Sequence, residues 1–201
     1  MSRSTNLIIA GVGGQGIVLA SKLVAYAAIN QGMAVRTSET LGMAQRGGSV
    51  VSHVRVSETA IASPLVPLGA ADVLLGFEPG EAVRCLPYLR SGGCVVVNTH
   101  PVAPVSAALA QKEYNGKEMI AHLGQCGAQL MVIDGNAICA EVGSPKVLNV
   151  ALLGAVAAAG VLCFTVQQLE AAIRASVRKA FVDMNIQALH CGARAVGSNA
   201  G

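Results

Sequence analysis

Apolar and polar positions divide the chain into two unlike parts. As far as Asp134, short apolar runs of strand length alternate with glycine-rich turns and longer helical stretches. Leu7-Ile8-Ile9-Ala10 reads as a buried strand, Gln15 to Gln31 as a helix closed by Gly32, and Met33 to Thr37 as a second strand. Ser49 to Val56 alternates strictly: Val50, Ser52, Val54 and Val56 share one face and Val51, His53 and Arg55 the other. That pattern predicts a strand with one wet or interfacial face. Val73 to Phe77, Cys94 to Asn98 and Met131 to Asp134 are further strands. A short helix covers Gly80 to Leu89, interrupted near Pro87, and 107–127 carries no clear pattern.

From Ser144-Pro145 onward the chain reads as helical. Serine followed by proline is a helix start signal, and Thr165 and Gln168 have capping-box spacing. Val166, Leu169, Ile173, Val177, Phe181 and Met184 recur at helical steps as one buried stripe, and Gly192 with the small-residue tail is expected to fray. Strands alternating with helices predict a layered α/β domain over 1–201, with a doubly wound, largely parallel sheet and a helical part at about 144–196.

Two glycine-punctuated stretches carry the candidate chemistry. Gly11-Val12-Gly13-Gly14-Gln15-Gly16 sits at a strand-to-helix turn, where bare amides and a helix N-terminus can receive an anion. Three readings stay open for it: tight packing of helix on strand, an anion site, or a dinucleotide fingerprint. The last needs an acidic residue at the end of the second strand; Glu39 is marginally placed and Arg36 is nearer. Gln15 adds a side-chain amide at the helix entrance. Met43-Ala44-Gln45-Arg46-Gly47-Gly48-Ser49 reads as a loop in which the glycines permit close approach and Arg46 can fork onto a carboxylate or phosphate, of a substrate or of a neighbouring subunit. His53 and Arg55 continue the same strand, and Asn98-Thr99 ends a buried strand at the edge where open α/β sheets bind ligands. Glu78 and Glu81 dress a helix start.

The two blocks together resemble the gamma-type subunit of the 2-oxoacid:ferredoxin oxidoreductases, most closely the beta subunit of the indolepyruvate enzyme, whose pattern reads GVGGQG and then GMAQRGGSVVSHVR. Here the second block runs from Gly42 through Met43, Gln45, Arg46, Gly47, Gly48, Ser49 and His53 to Arg55. Weaker likeness continues through Phe77-Glu78-Pro79, Gly93 to Thr99 and Asn149 to Ala155. The resemblance implies a Rossmann-like fold and a subunit of an enzyme that converts a 2-oxoacid, such as indolepyruvate, to an acyl-CoA and CO2 while reducing ferredoxin. It also implies thiamine diphosphate, Mg2+ and iron–sulfur clusters on a larger catalytic subunit. On that reading the chain bears no catalytic residue or metal of its own. Its Gly11, Gly13, Gly14, Gln15 and Gly16 would meet a phosphate of coenzyme A or another anion, and Met43 to Ser49 with His53 would face the partner or the active site. Two alternatives stand beside it: a self-sufficient NAD(P)- or flavin-dependent oxidoreductase, and the gamma subunit of a pyruvate or 2-oxoglutarate ferredoxin oxidoreductase.

Composition bears on partners. Hydrophobic residues make up 53% and charged ones 12%, against roughly 25% charged in ordinary domains. So little charge favours a subunit, or a homodimer of the isolated chain, over a free monomer. The run Val150 to Phe164 has no polar side chain but is shorter than the roughly 20 residues of a membrane span. Met1 to Thr5 leads into the first strand without an apolar signal segment, so cytoplasmic residence is the expectation. The six cysteines form no C-x-x-C pair, which speaks against cluster ligation here. A net charge of +3 without a basic run gives no support for nucleic-acid binding.

Overall fold

The computed structural model describes residues 4–41, 48–103 and 114–197. Among them, six strands form one sheet: β1 (Ser4–Val12), β2 (Ala34–Leu41), β3 (Ser49–Ser57), β4 (Ala71–Gly76), β5 (Leu89–Asn98) and β6 (Gln129–Ile133), in the order β2-β3-β1-β4-β5-β6. The helices are α1 (Ile17–Ile29), α2 (Pro79–Cys85), α3 (Gly116–Gly124), α4 (Gly135–Val142), α5 (Leu148–Ala158), α6 (Val166–Ser176) and α7 (Val182–Gly197).

β1, β4, β5 and β6 are parallel, as the alternation of strands and helices predicts. β3 runs the other way, antiparallel to both β1 and β2. The reason is the length of the connection: β2 ends at Leu41 and β3 starts at Ser49, and a parallel return needs a dozen residues or more. The strand after α1 therefore does not lie beside β1, because β3 is inserted between them.

One face of the sheet carries the larger core, built by Leu7, Ile9, Val54, Val73, Leu75 and Val96 against α1 and α4 to α7. The other packs Ile8, Leu74, Val95 and Val97 against α2 and α3. β3 is buried on both faces within the chain itself, where its alternation predicts one wet or interfacial face. The 58–70 segment covers it: His53 Nδ1 accepts from the Val66 amide at 3.2 Å, and Arg55 donates to the Ser63 and Leu65 carbonyls at 3.1 and 3.4 Å.

The C-terminal part departs from expectation in three places. The residues before Ser144 already form a helix, α4, capped by the Asp134 side chain on the Ala137 amide at 2.9 Å. The stripe from Val166 to Met184 is not one helix: α6 ends at Ser176, Val177 and Arg178 are extended, and the chain restarts through a 3-10 turn at Lys179–Phe181. Gly192 does not fray but lies inside α7 against α5, where a Cβ would stand 1.8 Å from the Ala151 carbonyl oxygen. Gly154 of α5 makes the reciprocal approach, its Cβ position 2.0 Å from the Leu189 carbonyl oxygen. The two glycines let the helices touch backbone to backbone. The capping box at Thr165 and Gln168 forms as its spacing predicts.

Candidate functional site at the glycine turn

The first glycine block meets Gly48 and Ser49, the described end of the second, at the C-terminal edge of the parallel strands. Val12 at the end of β1 faces Ser49 at the start of β3, and the Gly13 amide donates to the Gly48 carbonyl at 2.8 Å. Met43, Gln45, Arg46 and Gly47 lie outside the described residues, but their segment starts and ends beside this turn.

The glycines have different tasks. Gly14 (φ 101°) and Gly16 (φ 81°) adopt left-handed backbone that other residues disfavour. Gly16 also packs on Asn149, whose Nδ2 donates to the Gly16 carbonyl at 3.3 Å, and a Cβ there would stand 2.7 Å from that nitrogen. Gly11 lies beneath Gln15, with a Cβ position only 2.5 Å from Gln15 Oε1. Gln15 is turned inward: Oε1 accepts from the Val12 amide at 2.8 Å and Nε2 donates to the Phe77 carbonyl at 3.2 Å. Its amide thus ties β1 to the end of β4. What faces outward is Gly14 and the first turn of α1, whose N-cap Gly16 makes no side-chain cap and whose first turn has no acidic residue. A helix N-terminus left in that state favours an anion through its amides and dipole.

A polar cluster that sequence reasoning read only as a helix start borders the turn. Glu78 caps α2 and is fully buried. Its carboxylate accepts from the Glu81 amide at 2.9 Å, the Val102 amide at 3.3 Å and the Tyr114 hydroxyl at 2.9 Å. Burial first, and the Glu78 charge next, push the Tyr114 phenol well above its ordinary pKa, so it stays a donor. Ser49 donates to Glu81 at 2.7 Å, and Arg84 reaches both Glu81, at 2.6 Å, and Ser49. The start of β3 is thereby pinned to α2. No sequence signal marked Tyr114, which arrives from far along the chain.

Asn98, expected as a pocket wall, is buried structure: Nδ2 donates to the Phe77 carbonyl at 3.3 Å and Oδ1 accepts from the Gly135 amide at 3.0 Å. His53 faces away from the turn, edge-on to Tyr88, and burial lowers its pKa so that the ring is neutral. Cys85 and Cys94 are buried and their thiols are pushed up to about 11, which suits neither thiolate ligation nor nucleophilic attack. Among the described residues no three His, Cys, Asp or Glu side chains gather as a metal site, and no helix is long and apolar enough to cross a membrane.

The dinucleotide reading meets a geometric obstacle. It places the acidic residue on a strand adjacent to β1, yet Glu39 is on β2, two strand spacings away or about 9.6 Å. Glu39 instead accepts from Ser21 of α1 at 3.0 Å.

These features define a class: an α/β domain with a mixed six-stranded sheet whose glycine turn stands at the parallel strands' C-terminal edge, beside the start of β3. The chain belongs to the pyruvate ferredoxin/flavodoxin oxidoreductase family, whose model matches residues 6–195. It is 36% identical over 192 residues to the indolepyruvate oxidoreductase subunit IorB of Thermococcus kodakarensis, covering 94% of this chain and 95% of that protein. Its fold is similar to the keto/oxoacid ferredoxin oxidoreductase gamma subunit of Geobacter sulfurreducens PCA, with a TM-score of 0.71 and 26% identity over 96% of this chain and 99% of the other. A 2-oxoglutarate:ferredoxin oxidoreductase chain from Magnetococcus marinus shares the fold at a TM-score of 0.75 and 17% identity; this chain spans 98% of itself but 32% of that longer chain.

Proposed function

We propose that this chain is the small, non-catalytic subunit of a thiamine diphosphate-dependent indolepyruvate or arylpyruvate:ferredoxin oxidoreductase. The complex converts the 2-oxoacid and coenzyme A to an acyl-CoA and CO2 and passes two electrons to ferredoxin. The observation that carries this is 36% identity to an indolepyruvate oxidoreductase subunit over nearly the whole of both chains. Among the described residues no three His, Cys, Asp or Glu side chains converge, and the sequence has no C-x-x-C pair to ligate a cluster. On this reading, which the family likeness supports, thiamine diphosphate, Mg2+ and the iron–sulfur clusters belong on the larger subunit, where thiamine supplies the nucleophile and the clusters carry electrons singly.

This chain's share is positioning. Gln15, Asn98 and Asn149 hold the glycine turn rigid from below, leaving Gly14 and the first turn of α1 to meet a phosphate of coenzyme A. Ser49, Glu81 and Arg84 anchor one end of the 42–48 loop, so that Met43, Gln45 and Arg46 face the larger subunit. His53, with Arg55, stiffens the strand behind that loop. The cytoplasm, where ferredoxin and reduced thiols reside, is the compartment this function needs.

Co-expression with the larger subunit tests the proposal. A complex that reduces ferredoxin with indolepyruvate in preference to pyruvate and 2-oxoglutarate, while the isolated chain is inert, is the expected result. Turnover by the isolated chain, or failure to form any complex, contradicts it.

A further inference from the structure

The break between α6 and α7 builds a surface feature that the glycine turn does not use. Val177 and Arg178 are both extended although neither is proline or glycine, and after this break Phe181 is 44% exposed. Beside it opens a groove of about 480 Å3, whose apolar lining is Leu19, Val147, Val177, Phe181 and Met184. Two cations also line it, Lys146 and Arg178, both exposed, and among the described residues no carboxylate does.

Three observations give the groove a direction. Leu19 and Phe181 are both among the few large hydrophobics exposed among the described residues, and both line the same groove. Lys146 and Arg178 make no ion pair among the described residues, in a chain with only 12% charged positions. Arg178 rests over the Phe181 ring at 5.7 Å, and Asn185 Nδ2 donates to the Phe181 carbonyl at 2.7 Å, so the cation and the aromatic wall are held in place. An apolar floor between unpaired cations is complementary to an apolar side chain flanked by carboxylates.

The groove also borders the site described above. One wall is α1, which begins at the glycine turn, and Lys146 lies one helical turn before Asn149, the residue on which Gly16 packs. We infer that this groove seats an acidic segment of the larger catalytic subunit, an aromatic or leucine side chain entering between Leu19 and Phe181 and carboxylates meeting Lys146 and Arg178. The inference rests on the subunit assignment above. A segment seated there brings the partner's surface alongside the glycine turn, giving the two chains a fixed register. The arrangement follows the anatomy of protein interfaces, with an apolar centre and a charged rim.

The test uses both full chains. Affinity for the larger subunit is measured by biolayer interferometry at low and high salt for the native chain, Arg178→Glu, Lys146→Glu and Phe181→Ala, with Lys117→Glu on α3 as the control. Each groove reversal is expected to raise Kd about tenfold or more at low salt and less at high salt. Phe181→Ala raises Kd about 30-fold, the size of an interface anchor, and Lys117→Glu changes it less than twofold. If the native chain binds and the groove variants bind equally well, the inference is overturned while the subunit assignment stands. If the native chain binds no larger subunit, the assignment fails and the inference with it. Saturable binding of phenylacetate by the isolated chain, lost in Arg178→Glu, would make the groove a small-acid site and also overturn it. Should Phe181→Ala lower the melting temperature, the two exposed charge reversals alone decide the matter.

Discussion

Gly192→Ala sets two opposing effects against each other, and the structure decides which wins. Alanine is favoured over glycine inside a helix by about 1 kcal/mol, so the substitution would stabilise an exposed position. At 192 the new methyl would stand 1.8 Å from the Ala151 carbonyl oxygen and 2.6 Å from its carbon, all backbone of α5. A carbon and an oxygen in ordinary contact are about 3.3 Å apart or more, so the helices must part locally by about 1.5 Å. No rotamer change can relieve a clash with backbone. A gap of that size forfeits much of the dispersion attraction between Ala151, Ala155, Ala188 and Leu189, all fully buried. Overpacking usually costs about 1–3 kcal/mol, and two rigid backbones put this case at or above the upper end. After the helix preference is subtracted, a net loss of about 2–3 kcal/mol remains, or a fall of about 4–12 °C in Tm for a chain of this size. Circular dichroism and calorimetric melts measure it. Gly124→Ala, at the end of α3, is the control: its methyl meets only the Leu130 side chain, at 3.7 Å, and should leave Tm unchanged or slightly raised. A Gly192→Ala chain melting at or above the native temperature would refute the backbone-contact reasoning.

Gln15→Leu keeps the volume but removes both hydrogen bonds that tie the glycine turn to β4, leaving the buried Val12 amide without its Gln15 acceptor; urea unfolding should show a loss of about 1–3 kcal/mol. Tyr114→Phe removes one of three donors to the buried Glu78 carboxylate and should lower stability by about 1.5–3 kcal/mol in the same assay. Because the Tyr114 pKa is raised on folding, its contribution is complete below the unfolded value of about 10 and is lost as pH climbs beyond it; alkaline melts of the native chain should therefore fall more steeply than those of Tyr114→Phe. His53 is shifted the other way, so its contribution is complete above about pH 6.5 and is lost as pH falls; melts between pH 7 and 5 should decline in the native chain and less in His53→Gln.

The inverted β3 shows how far local pattern reaches. Its alternation identified a strand, but alternation cannot say whether the outer face meets water or another segment of chain. That was decided by the 58–70 segment, held through His53 and Arg55, and the direction of β3 followed from a connection too short to cross over. The break at Val177 and Arg178 carries no proline or glycine, so a periodic stripe continued through it on paper while tertiary packing ended the helix. Gly192 read as a frayed tail for the same reason: only the approach of α5, distant in sequence, gives a missing Cβ its purpose.

By itself the sequence determined what depends on neighbours along the chain: the apolar strands, the capping box at Thr165, the left-handed glycines of the turn and the motif spacing that carries family likeness. Only the tertiary structure decided which way Gln15 points, that Tyr114 meets Glu78, and that Gly13 and Gly48, distant along the chain, close on one edge of the sheet. Conformational preference is a short-range property of a residue and its neighbours, whereas hydrogen-bond partners and buried faces are set by segments that meet after long loops close.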